Sequence, residues 1–508
     1  MSTVTKFPVV LVHGLFGHGK ERPLWNTIPY WPEKDLARIN PNHIIVDVGT
    51  VSSDHDRACE AFYELYGGTV DYGEEHVRKT HHERFGRTYN TPRHPHWSED
   101  NPIHLVGHSM GSTTAIELYQ MLCDDAFGVG SNHKWVRSIT CIAGPLTGST
   151  FSHMFVQDLQ RPYSVLYMMS AVMSVWFKLY QRVPFLRGAY DFRSDQWRNF
   201  SLRELVSANG VFNRTMDLAM HSCMPSNRME RNSQLKNMEK VHLMSITTSP
   251  RHFDLPLQEI GGAFLLAALN FGKIPRLAMK WPRVKNFREV CTLVLGYFLW
   301  KRIRKLNFAK LPGFYALSWI IRRRTKLHPD LYDDVWEHND GAVNIHSMLR
   351  PWFPKPDQLP RLQSDADAAD TGPVGQSQLT SSASTTSLQS SPSVPSLASL
   401  ARCASHISID GFHHEQDEPL DESESPRRSR FEKGRWYVYR VDCNHLAGTY
   451  WDGEAADLYE SLFKMIINEY EPEQKDTTTL TTTRDVMAEH HRSRQVFDHS
   501  GPATIGKS

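Results

Sequence analysis

The stretch best equipped for covalent chemistry is Gly107-His108-Ser109-Met110-Gly111. A serine with glycines two before and two after matches G-x-S-x-G. In that sharp strand-to-helix turn the nucleophile sits at strained backbone angles, and side chains at the glycine positions would collide. The context agrees, because an apolar run at 103–106 precedes the motif and a helical pattern at 113–123 follows it. A serine hydroxyl is a weak nucleophile, so the chemistry also needs a base, an acid to orient that base, and donors for the developing oxyanion. One donor is expected from the Met110 amide. The other is expected from the Leu15 amide in the glycine-bearing loop His13-Gly14-Leu15-Phe16-Gly17. The chain order required is serine, then acid, then histidine. Asp340, in Glu337-His338-Asn339-Asp340-Gly341, and His445, in Asp442-Cys443-Asn444-His445-Leu446, fit that order. With 26 histidines in the chain, the pattern alone leaves other pairs open.

These residues need a frame. Short apolar runs at 8–12, 43–51, 103–106, 136–143 and 241–247 read as buried strands, and 113–123 and 454–467 read as helices. Strands alternating with helical stretches predict a mostly parallel central sheet with helices on both faces, and with the serine turn and long insertions this points to an α/β-hydrolase.

The 508 residues are 40% hydrophobic and 11% aromatic, which suits a globular chain with a large core. A formal charge of +1 gives no sign of a nucleic-acid partner. Seven cysteines lie far apart without a CxxC pair, which predicts free thiols in a reducing compartment. The apolar strand begins within ten residues of Met1, so no secretory leader is expected. The expected location is intracellular and cytoplasmic, peripheral on membranes or lipid droplets.

Three stretches depart from the core pattern. Residues 362–430 are rich in Ser, Thr and Pro, and 371–401 contain no charged residue; this composition predicts disorder, as it does for the tail at 474–508. Residues 255–326 are apolar and basic: between Lys273 and Lys326 stand fifteen Lys and Arg against one acid, Glu289. Its apolar runs fall short of the roughly 20 residues that span a bilayer. The stretch is expected to lie on an anionic membrane surface. The competing reading is core or lid helices with a solvated basic rim.

Several strings resemble the zinc-containing bacterial lipases of the thermoalkalophilic and staphylococcal type, and their eukaryotic relatives. The most specific are Ser52-Ser53-Asp54-His55-Asp56-Arg57-Ala58-Cys59-Glu60-Ala61, Gly67-Gly68-Thr69-Val70-Asp71-Tyr72-Gly73 and Arg84-Phe85-Gly86-Arg87-Thr88-Tyr89. The resemblance implies Ser109, Asp340 and His445 as the triad and a helical lid near 163–185. It also implies structural zinc at Asp56, His76 and His82. The fourth ligand stays open, because Phe212 or Asn213 stands where an acid is expected and Asp217 matches a different family residue. Ala447 replaces an acid of the family's calcium site, so with Asp452 alone no tight calcium binding is expected.

The domain reading is a hydrolase core at 1–361 and a disordered insertion at 362–430. The core resumes at 431–473, carrying His445, and the tail occupies 474–508. Within the core lie a zinc-type insertion at about 52–89, a lid region at about 150–200 and the apolar-basic insertion at about 255–326. The expected activity is carboxylic-ester hydrolysis by a lipase, with an acyl-lipid substrate. Alternatives on the same site are a phospholipase, a thioesterase or a small-ester esterase, and from another class a catalytically inactive lipid-binding protein. Oligomeric state is not legible from the chain.

Overall fold

Val9–Val12 (β1) is a run of four apolar residues, all of them buried, as expected of a strand covered on both faces. The computed structural model describes residues 3–159, 163–207, 217–250, 290, 294, 312–327, 332–352 and 431–471. The other strands are β2 (His43–Val46), β3 (Gly68–Asp71), β4 (Phe85–Tyr89), β5 (Ile103–His108), β6 (Val136–Ile142), β7 (His242–Thr248) and β8 (Trp436–Val441). Six of them form a sheet in the order β2-β1-β5-β6-β7-β8, every pair parallel. β3 and β4 make a separate antiparallel pair.

The helices named below are α1 (Glu33–Ile39), α2 (Asp54–Tyr66), α3 (Glu74–Thr80), α4 (Met110–Cys123), α5 (Thr150–Leu159), α6 (Val165–Arg182), α7 (Pro225–Ser233), α8 (Pro312–Thr325) and α9 (Ala455–Met465). Alternation along β1 shows how they cover the sheet. Val10 and Val12 pack with Ala58 and Phe62 of α2 and Ala115 and Tyr119 of α4. Val9 and Leu11 pack with Leu36 of α1 and Leu462 and Phe463 of α9. Successive strand residues face opposite sides, so two apolar layers result. The expected α/β-hydrolase architecture is present, and the elements through Tyr470 form one compact unit.

The structure departs from the sequence expectation at two strands. The strand expected at 43–51 ends at Val46, because Asp47 turns its carboxylate to the amides of Gly19, Lys20 and Glu21 at 2.6, 2.9 and 3.2 Å. β8 was not marked as a strand in the sequence; its half-buried Trp, Tyr and Val residues complete the sheet beside β7. The expected insertion at 362–430 and tail at 474–508 lie outside the described residues. So does the stretch at 255–326, apart from Val290, Val294 and 312–326. No helix among the described residues is long and apolar enough to cross a membrane.

Candidate active site

β5 runs into α4 through Ser109, whose φ of 55° and ψ of −130° lie outside the regions a serine ordinarily occupies. The flanking glycines are a steric requirement. A Cβ on Gly107 would stand 2.3 Å from the Gly111 carbonyl oxygen, and one on Gly111 would stand 2.0 Å from that of Val12. Residues 107–111 therefore present the serine side chain at the C-terminal edge of the sheet, where open α/β sheets bind their ligands.

Three distant segments meet at that edge. The Ser109 hydroxyl donates to His445 Nε2 at 2.7 Å, and His445 Nδ1–H donates to Asp340 Oδ2 at 2.8 Å. His445 follows β8, and Asp340 lies on a turn closed by the Asn339–Asn344 bridge, with Gly341 at φ 103°. Asp340 Oδ1 accepts the amides of Ala342 and Val343 at 3.0 and 2.9 Å. Thr248, at the end of β7, donates to Oδ2 at 2.5 Å. Burial would raise the Asp340 pKa, but the charge of His445 and these hydrogen bonds outweigh it and hold the carboxyl below its usual range. The buried acid is thereby kept as a carboxylate.

A second chain of hydrogen bonds, not foreseen from the sequence, ties the same segments together. The Gly14 amide donates to Tyr30 Oη at 3.0 Å, Tyr30 Oη lies 2.5 Å from His108 Nδ1, and His108 Nε2 lies 2.9 Å from the His445 carbonyl oxygen. Because a carbonyl only accepts, Nε2 carries the proton and Nδ1 accepts from the tyrosine hydroxyl. A neutral His108 satisfies both ends. Burial, reinforced by the charge of His445, pushes its pKa down to about 3.

Of the two expected oxyanion donors, Met110 follows Ser109 directly, and Leu15 packs beside Met110 in a small cluster with Ala219 and Cys223. A Cβ on Gly14 would lie 2.6 Å from Ser109 Cβ, so the loop carrying Leu15 presses on the serine. Arg57, fully buried on α2, fixes that loop. It donates to the His13 carbonyl, to the Gly49 carbonyl at 2.6 Å and to Thr114 Oγ1 at 2.9 Å.

Asp56, His76 and His82 also come together, and the structure corrects the expectation for a fourth residue. Asp217 completes the cluster, with the candidate ligand atoms of all four residues within 4.8 Å of one another. The resemblance aligns Asp217 with a different family residue, which hides this role. In three dimensions, Leu218 bridges Ser52, and Ser53 hydrogen-bonds the Asp217 carboxylate while capping α2. These contacts carry Asp217 to the first turn of α2, opposite Asp56. The available sequence signal was that Asp217 is the lone acid between Glu204 and Glu230.

The cluster has the marks of a metal-ion site. His76 and His82 Nε2 stand 3.1–3.6 Å from oxygens of Asp56 and Asp217. Donors bound at about 2.0–2.2 Å in a tetrahedron would be separated by about 3.3–3.6 Å. Asp56 Oδ1 and both Nε2 atoms are buried yet make no aligned hydrogen bond, since they converge on a common point. His82 Nδ1 is held by the Glu83 carbonyl oxygen at 2.8 Å, and Asp56 Oδ2 accepts from Gln196 at 2.7 Å. Such outer contacts orient metal ligands. Burial would lower the two imidazole pKa values, but Asp217 and Asp56 overcome it and raise them to about 9 and about 10. A metal ion would displace those protons. Asp452, the remaining candidate calcium residue, accepts the amides of Gly448 and Glu454 at 2.9 and 3.1 Å and shapes the turn after His445.

Comparison with known proteins adds a family context. Residues 5–134 match the family model described as "Lipase-like, C-terminal domain". Lipase 2 of Staphylococcus aureus (strain MRSA252) is 34% identical over 174 residues, covering 30% of this chain and 25% of that protein. Lipase 1 of the same strain is 30% identical over 169 residues, covering 29% and 25%. The match thus spans about a quarter of the length of these curated relatives. Among solved structures, Staphylococcus hyicus lipase has a TM-score of 0.51 at 17% identity, covering 93% of this chain and 98% of that one. Lipase 1 from Pelosinus fermentans has a TM-score of 0.50 at 20% identity, covering 92% and 99%. Such identities speak to fold, and the fold is that of the α/β-hydrolases. The resemblance to staphylococcal-type lipases read from the sequence is borne out.

Proposed function

We propose that this chain, similar to staphylococcal-type lipases in sequence and to α/β-hydrolases in fold, is a serine carboxylic-ester hydrolase acting on acyl lipids. The observation that carries the reading is the continuous hydrogen-bond relay from Ser109 through His445 to Asp340, with the serine on a strained elbow. In this reading Ser109 Oγ attacks the ester carbonyl carbon while His445 Nε2 takes its proton. The oxyanion is received by the Leu15 and Met110 amides. His445 returns the proton to the leaving alcohol, leaving an acyl-enzyme, and then takes a proton from the water that hydrolyses it. Asp340 stays ionised throughout, orienting the imidazole and balancing its transient charge.

An acyl-lipid substrate is favoured by the surface of α6, which falls in the expected lid region. Met168, Met169, Val172, Val175 and Leu179 recur along this helix, all exposed. A stripe of that kind is unusual on a monomeric surface and marks an apolar partner. The stretch 255–326, with its excess of Lys and Arg, is read as contacting an anionic membrane surface. The free thiols of Cys59, Cys123, Cys141, Cys223 and Cys443 accord with an intracellular, reducing location.

Zinc is the proposed occupant of the Asp56–His76–His82–Asp217 cluster, since two imidazoles and two carboxylates suit it. Bound there, zinc would supply structural cross-linking among α2, α3 and the segment at Asp217. The reading is tested by hydrolysis of p-nitrophenyl esters of graded acyl length by the wild type and Ser109→Ala. A preference for long chains that vanishes in the variant is expected; equal rates of the two proteins on every ester would refute it.

A further inference from the structure

α8 is fastened on one side and open on the other. Ser318 exchanges hydrogen bonds with Asn339, Oγ to the Asn339 carbonyl at 3.3 Å and Asn339 Nδ2 to the Ser318 carbonyl at 3.2 Å. Arg322 Nε and Lys326 Nζ both reach the Glu337 carboxylate, at 3.0 and 3.1 Å. Ile321 and Thr325 are buried, and Thr325 meets Thr150 of α5 at 3.2 Å. Positions 318, 321, 322 and 325 share one helical face. That face grips Glu337 and Asn339, immediately before Asp340.

Several other side chains of this stretch are exposed. Trp319 is 53% and Leu327 is 70% exposed, and Leu317 and Ile320 are exposed with them. The Arg323 guanidinium lies over the Trp319 ring, 5.4 Å from its centroid. Residues 312–327 contain no acid, and Arg323 is a cation outside the Glu337 pairs that hold Arg322 and Lys326. Fourteen residues of helix extend about 21 Å, short of the roughly 30 Å bilayer core. Exposed tryptophan and leucine beside arginine suit the headgroup level of a membrane, where the rings enter the apolar boundary and the guanidinium groups meet phosphates.

We propose that the outer face of α8 docks on an anionic phospholipid surface, and that its inner face passes this docking on to the loop that presents Asp340. The second half rests on the hydrolase reading above. Docking stiffens α8, and through Ser318–Asn339 and the Glu337 ion pairs it stiffens the segment whose last residue orients His445. Catalysis of even a soluble ester is then responsive to a surface that offers nothing to hydrolyse.

The full chain is sedimented with ether-linked phosphatidylcholine vesicles, with and without ether-linked phosphatidylserine, and its turnover of p-nitrophenyl butyrate is measured in both. The wild type is expected to bind the anionic vesicles preferentially, to lose binding as salt rises, and to turn over the soluble ester several-fold faster when bound. The double variant Trp319→Ala/Arg323→Ala should bind roughly tenfold more weakly, with circular dichroism confirming its fold. Glu337→Gln should bind like the wild type but lose the stimulation. Equal binding to neutral and anionic vesicles, or undiminished binding by the double variant, overturns the docking. Binding without stimulation, or full stimulation in Glu337→Gln, overturns the link to Asp340. If no ester is turned over at all, the hydrolase reading and the link fall together, and sedimentation alone decides the docking.

Discussion

Asp56 and Arg57 are consecutive on α2 and serve two different sites. The Asp56 carboxylate faces His76 at 3.1 Å and His82 at 3.6 Å, while the Arg57 guanidinium holds the carbonyls of His13 and Gly49 behind the oxyanion loop. One helical turn, capped by Ser53, therefore fixes both the candidate metal-binding cluster and the loop that carries Leu15. Arg57 is fully buried, and a guanidinium there is tolerable only while its hydrogen bonds persist.

From this follows an expectation about metal removal. Chelation should lower the midpoint of thermal unfolding by several degrees while leaving turnover at mild temperature within a few-fold, because a metal held there would brace α2 and would not touch Ser109. Asp217→Ala should mimic chelation and reduce the zinc content found by elemental analysis. Gently purified wild-type protein without zinc would contradict the assignment.

How much of this was legible in the chain depended on how local each feature is. The nucleophile was readable because its glycines answer to contacts within a few residues, Gly107 against Gly111 and Ser112. Five of the six strands of the sheet were readable as apolar runs, since both faces are covered; β8, with its half-buried residues, was not. Asp340 and His445 could be ranked above the other carboxylates and histidines only by resemblance, because 105 residues separate them and no local pattern encodes that meeting. Asp217 was missed for the same reason: it reaches α2 through a bridge between Ser52 and Leu218. The Tyr30–His108 bond joins positions 78 residues apart and leaves no periodic trace.

Thr248 is expected to be a positioning residue. Its hydroxyl donates to the same Asp340 oxygen that receives His445, and it is fully buried. A hydrogen bond to a charged group contributes about 1.5–3 kcal/mol, so Thr248→Val should lower kcat by roughly tenfold or more with little change in KM. Steady-state kinetics on a soluble ester reads this, and an unchanged kcat would remove Thr248 from the account.

The segment between acid and base should tolerate shortening. The β7–β8 pairing closes the sheet around it, and closure cost rises only logarithmically with length. Deleting residues 371–401, which contain no charge, should shift stability by about 1 kcal/mol or less. Urea unfolding measures the shift, and loss of folding would show that the deleted residues contribute structure.

Replacing the triad partners should separate their roles. His445→Ala removes the base and should abolish nearly all turnover, whereas Asp340→Asn keeps the size of the acid and should leave a trace, roughly 10⁴-fold down. Identical residual rates in the two variants, well above background, would argue that neither residue acts on Ser109.

Covalent capture of Ser109 bears most directly on the account. A fluorophosphonate ester reacts with an activated serine and leaves a stable phosphonyl adduct that mass spectrometry locates. The wild type should gain one adduct, mapped to the peptide bearing Ser109, with loss of esterase activity in step. Ser109→Ala should gain none. Labelling of Ser109→Ala at the wild-type rate, or esterase activity surviving in the fully labelled wild type, would contradict the assignment of Ser109 as the nucleophile.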